Sequence, residues 1–135
     1  MRAHRFIAGL ALLLGLVPFL RGHYLWLGVD RKAGEKDTVN LYFEEGPRAG
    51  NGRYLDPFVK RGKTWIRTPA APKPTELKMS EVKTTGKRWL RSELSTESPR
   101  ALSSFCTFGV YRYPRKLDVL LRYQAKQYEV KKVSE

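Results

Sequence analysis

Once the first residues are set aside, two side chains suited to metal or thiol chemistry remain: His23 and Cys106. One His and one Cys cannot build a cluster at zinc spacing, and a serine triad would have to take its imidazole from His23. There is no Gly-x-Ser-x-Gly, no phosphate loop and no dinucleotide fingerprint. Glu44 and Glu45 are adjacent, but successive strand residues point to opposite faces, so they read as solvated or turn residues. Enzymatic activity is not expected.

His23 carries the sharpest chemical reading. If the chain is cleaved after Gly22, the free α-amine and the imidazole of His23 reach a common ion, the chelate that Cu or Ni takes. Cys106 is the second candidate ligand, provided its strand neighbours the first. The plainer readings are a His that begins a strand and a buried, inert thiol.

That chelate requires a leader. Arg2 and Arg5 precede an uncharged stretch from Phe6 to Leu20, broken by Pro18 and followed by Arg21-Gly22. A basic start, an apolar run and a small residue at the end form the layout of a signal peptide. Residues 1–22 are therefore read as a signal peptide and 23–135 as the mature domain, periplasmic or secreted. The alternative is an uncleaved membrane anchor, for which the run is shorter than the roughly 20 residues of a span. A lone cysteine rules out an intramolecular disulfide and leaves a core thiol, an intermolecular bridge or a ligand.

The 135 residues carry 26 Lys and Arg against 13 Asp and Glu, a net charge of +13. The leader accounts for three Arg and no acid, so the mature domain keeps a net of +10. Its cations are dispersed, at Lys60-Arg61-Gly62-Lys63, Lys87-Arg88, Arg112 with Arg115-Lys116, and Lys131-Lys132. Such a surface attracts any polyanion. Aromatics interleave with it at Trp89 and at Tyr111-Arg112-Tyr113, as in single-strand binders. A nucleic-acid partner would require that the leader is not a signal. Outside the cytoplasm the fitting partners are envelope polyanions or anionic lipid, and the bland alternative is solvated surface charge.

The elements that position these residues read as β. Val39, Leu41 and Phe43 alternate with Thr38, Asn40 and Tyr42, the period of a half-buried strand. Further strands are expected at 24–29, 63–68, 76–83 (an edge strand), 88–94, 102–111 and 117–128, with 113–116 connecting the last two. Gly46–Gly52 reads as a loop, and 54–61 as one or two helical turns with Pro57 near the start. The proline-rich stretch 69–74 cannot join a central ladder. Seven short, evenly spaced strands argue for an all-β, small antiparallel sandwich.

A resemblance points the same way. His23-Tyr-Leu-Trp-Leu27 directly after the leader, Cys106-Thr-Phe-Gly-Val110, and Leu120-Leu-Arg-Tyr-Gln-Ala-Lys126 resemble three segments of short secreted proteins of planctomycete-type bacteria. These proteins are related to the nickel-uptake substrate-specific region family. Phe108 stands where they carry Tyr, and this chain lacks the extra His residues of longer members. The resemblance implies an exported immunoglobulin-like or prealbumin-like β-sandwich associated with metal transport. Two functions are thus expected: an exported accessory binding domain for a transition metal, Ni or Cu, or a cationic module for envelope polyanions or anionic lipid.

Overall fold

The computed structural model describes residues 22–112 and 117–130. The signal peptide expected at 1–22 lies outside them except for Gly22, as does the connection at 113–116. Eight strands and one helix are described: β1 (Tyr24–Asp30), β2 (Thr38–Glu44), α1 (Asp56–Arg61), β3 (Lys63–Arg67), β4 (Thr75–Leu77), β5 (Ser80–Thr84), β6 (Lys87–Glu93), β7 (Arg100–Arg112) and β8 (Asp118–Glu129). They form two four-stranded antiparallel sheets, β1-β2-β6-β5 and β4-β3-β7-β8. The fold is the all-β sandwich expected from the alternation.

Register explains the core. Leu25, Leu27 and Val29 stand opposite Phe43, Leu41 and Val39 across β1–β2, and Leu41 continues to Leu90 on β6. This apolar face packs on Ile66, Leu102 and Cys106 of the second sheet. One polar pair sits inside. Thr64 and Ser104 are cross-strand partners, both buried, and satisfy one another: the Thr64 hydroxyl donates to Ser104 at 3.1 Å and Ser104 to the Lys63 carbonyl at 3.2 Å.

At one end of the sandwich the core is aromatic. Phe43 packs against Phe58, Phe108 and Tyr123 with ring centroids 4.7, 5.4 and 4.7 Å away. Phe58 arrives on α1, whose Asp56 lies in the first turn and Lys60 and Arg61 in the last, the charge order that suits a helix dipole. Gly62 ends the helix, its N–H donating to the Phe58 carbonyl at 2.9 Å. A Cβ at Gly62 would lie 2.5 Å from that oxygen, so the close approach, not an unusual φ, demands glycine.

The edge strand expected at 76–83 is two strands. β4 pairs with β3 in the second sheet and β5 with β6 in the first, so the chain crosses between sheets at Lys78-Met79. Met79 packs against the core at the crossing, which separates two ladders in a stretch whose alternation is weak. Arg100, which falls between the strands expected at 88–94 and 102–111, begins β7 and is buried. Among the described residues no helix is long and apolar enough to cross a membrane.

Candidate functional site

His23 stands at the mouth of a recess of about 790 Å³ lined also by Glu44, Glu45 and the loop from Gly46 to Tyr54. Its ring meets Tyr54 edge-on at 4.9 Å and Phe43 at 5.8 Å, so it caps the aromatic end of the core. Glu44 is engaged in shaping the loop: its Oε1 accepts from the Gly52 N–H at 3.0 Å. Gly52 itself has φ +63°, and a Cβ there would lie 2.5 Å from the Arg88 Cβ. Arg88 pins the same loop. It donates to Glu81 at 2.7 Å, Asp56 at 2.8 Å and the Gly52 carbonyl at 3.2 Å. These hydrogen bonds hold the Asp56 and Glu81 carboxyls below the ordinary carboxylate range and raise the Arg88 guanidinium. Of the side chains lining the recess, Glu44 and Asn51 brace the loop, Asn51 Oδ1 accepting from the Arg53 N–H at 2.9 Å, and the Arg53 guanidinium lies 5.3 Å from the Tyr54 ring centroid.

Cys106 lies elsewhere. Its side chain is fully buried under α1 and its thiol donates to the Pro57 carbonyl at 3.4 Å. Burial pushes the thiol upward, with Arg61 opposing. A protonated, hydrogen-bonded, water-free thiol is a poor metal ligand. The hydrogen-bond and ring contacts of His23 and of Cys106 are with different residues, and among the described residues no group of three or more His, Cys, Asp or Glu could hold a metal ion. As a pair, the two expected ligands do not fit a Cu or Ni centre.

The cations sort into two sets. Arg88, Arg100 and Arg112 are paired with carboxylates: Arg112 meets Asp118 at the surface through two hydrogen bonds of 2.9 and 3.0 Å, and Arg100 is buried against carboxylates. Arg91 donates to the buried Asn40 side chain at 2.8 Å and lies over the Trp89 ring. Of these, Arg88 and Arg112 are groups that charge runs in the sequence single out. The second set alternates along the outer face of the second sheet: Lys63 and Arg67 on β3, Arg122 and Lys126 on β8. Among the described residues, only Lys63 of these four has an ion-pair partner, Glu76 at 3.7 Å. Both members are more than half exposed, so that pairing contributes little.

Aromatics share this face. Trp65 lies between Lys63 and Arg67, Phe105 stands opposite Lys63, and Tyr128 is 66 % exposed beyond Lys126. In the centre, Ala101 and Ser103 bridge Arg67 to Tyr128 and Trp65 to Lys126 through consecutive register pairs. Two small residues between large ones leave a trough. Two shallow grooves of about 260 and 320 Å³ run along it and share Arg67, Ala101 and Tyr128. A flat sheet face with cations, aromatic rings and a groove is an arrangement that tracks an extended anion. Reading clusters of consecutive charges finds only Lys63 of the four cations on this face. The period-2 series Leu120, Arg122, Gln124, Lys126, Tyr128 on β8 is the signal that reveals it. Comparison of the chain with protein-family models, curated proteins and solved structures finds no match.

Proposed function

We propose that this protein is an exported cationic module that docks on an extended anionic surface of the cell envelope through the outer face of the β4-β3-β7-β8 sheet. The observation that carries the reading is the placement of Lys63, Arg67, Arg122 and Lys126 around Trp65, Phe105 and Tyr128, with Glu76 beside Lys63. Export is supported by the residue pattern of 1–22, and the cationic role by the mature net charge of +10. The face offers no base-reading motif, so binding is charge-driven, sequence-blind and weakened by salt.

Heparin chromatography of charge-reversed variants tests this. Arg67→Glu with Lys126→Glu removes two cations of the face, whereas Arg48→Glu with Arg53→Glu changes net charge equally on the recess. The face variant is expected to elute at clearly lower salt than the recess variant. Equal elution would reduce the charge to a solvated surface without a docking face. Tight binding to a single oligonucleotide sequence that survives moderate salt would replace the reading with nucleic-acid recognition.

A further inference from the structure

The trough in the outer face of the second sheet has a defined floor and walls. Register sets Arg67, Ala101 and Tyr128 in one row across β3, β7 and β8, and Trp65, Ser103 and Lys126 in the next. Each row carries one ring, one cation and a small residue between them, and the order reverses from row to row. Trp65 therefore stands diagonally across from Tyr128, and Arg67 from Lys126. Two strand spacings, about 10 Å, separate β3 from β8, and successive rows on one face lie about 7 Å apart. Ala101 and Ser103 fill little of that space, and a groove of about 260 Å³ results, lined by Pro74 on the β4 side. Its polar groups are uncommitted. The side chains of Arg67, Ser103, Gln124 and Lys126 have no hydrogen bond or ion pair to another described residue. Trp26 and Trp89 spend their indole N–H groups on the Glu44 carbonyl and on Asn40, whereas that of Trp65 has no acceptor among the described residues.

A chain of pyranose rings suits this arrangement. Each ring offers C–H faces to an aromatic wall and hydroxyls at its edge to Ser103, Gln124 and the Trp65 N–H. An acidic ring adds a carboxylate for Arg67 or Lys126, whose charge makes the hydrogen bond a strong one. A polyphosphate would use the cations and leave both aromatic walls idle. Nucleobases stack on aromatic side chains in series, whereas Trp65 and Tyr128 line one groove from opposite sides. We infer that the extended anion is an acidic saccharide chain, one ring of which seats over Ala101 and Ser103 between Trp65 and Tyr128. This rests on the docking reading above and names the ligand class of the same face.

The test uses the full chain at low salt with two charge-matched probes. One is an oligogalacturonate, whose every ring carries a carboxylate, and the other is inorganic polyphosphate, which has no ring. Trp65→Leu with Tyr128→Leu removes both walls, and Ala101→Leu raises the floor while keeping walls and cations; neither changes charge. Each is expected to weaken calorimetric binding of the oligogalacturonate at least about fivefold and leave polyphosphate binding unchanged. Arg67→Glu with Lys126→Glu is expected to weaken both probes. Failure of that charge reversal to weaken either probe would sink the docking face. Undiminished saccharide binding by either neutral variant would overturn the trough alone. Equal loss of both probes in the neutral variants would also overturn it, because the rings would then serve the sheet and not the ligand. So would tighter binding of a charge-matched oligothymidylate that the ring variant abolishes, since the stacked partner would then be a nucleic acid.

Discussion

Arg100 and Glu129 face one another at the outermost register position of the β7–β8 ladder and form an ion pair with side chains only 1 % and 7 % exposed. Asp37, just before β2, takes the other side of the same guanidinium, and the Thr96 carbonyl also accepts from it. Arg31, after β1, meets Glu129 and Asp37 from outside. The cluster therefore ties the β1–β2 connection of the first sheet to the end of the second. Burial opposes the charge on Arg100, but the two carboxylates outweigh it and raise the guanidinium above its ordinary value.

Arg100→Ala leaves the nearly dry Glu129 carboxylate with Arg31 alone and strips Asp37 of its buried partner. Removing one member of a buried pair costs about 3–5 kcal/mol. Against the 5–15 kcal/mol of a typical domain that is a large share. Urea denaturation should show the midpoint falling accordingly, whereas Arg31→Ala, at the exposed side of the cluster, should cost about 1 kcal/mol or less. Similar losses for both would mean the cluster is solvated.

The brace on the 45–55 loop predicts a pH dependence. The folded carboxyls of Asp56 and Glu81 are depressed by Arg88, so their contribution is complete above the ordinary carboxylate range and is lost as pH falls through the depressed folded values. Carboxyl titration by NMR should place both below ordinary carboxylates, and Arg88→Gln should move both upward. Unchanged titrations in that variant would remove Arg88 as the cause.

Cys106 is predicted to be inert. In the native protein a small alkylating agent at mildly alkaline pH should leave it unmodified, and urea should make it react fully. Cys106→Ala should cost about 1 kcal/mol, the usual scale of a single substitution. Ready alkylation of the folded chain would contradict the burial.

The metal expectation has a direct test. A chain beginning at His23 would carry the α-amine and imidazole expected to chelate Cu(II). Calorimetric titration should show affinity lost in His23→Ala and unchanged in Cys106→Ala, because the thiol is committed to the Pro57 carbonyl. Loss in the cysteine variant would bring the two residues back into one site.

Much of this architecture is legible in alternation. Val39, Leu41 and Phe43 point into the core as their spacing requires, and the long final strands stand where their β-branched and aromatic residues place them. Three features escape it for physical reasons. The crossing at Lys78-Met79 depends on which ladder each half joins, a long-range choice that local pattern does not carry. Arg100 reads as loop beside Pro99, and its burial is set by Asp37 and Glu129, each far away in sequence. Asn40 sits on the outward side of β2 yet is buried, because the Trp89 indole and Arg91 both donate to its carbonyl oxygen and fold over it. The docking face is legible in part. Arg122 and Lys126 alternate visibly, but their neighbours Trp65 and Arg67 join them only through the β3–β7–β8 order.

The three tryptophans provide the most direct test of the docking face. Trp26 and Trp89 lie on the first sheet with their indole N–H groups donating to the Glu44 carbonyl and to Asn40 at 3.1 and 3.0 Å, whereas Trp65 lies on the outer face of the second sheet. Three indole resonances in a proton–nitrogen spectrum of the labelled chain therefore report on both sheets at once. Titration with a heparin oligosaccharide at low salt is predicted to move the Trp65 signal and leave the other two in place, with the shift reversed by added salt. Movement of Trp26 or Trp89 with Trp65 unmoved would contradict the assignment of docking to the outer face of the second sheet.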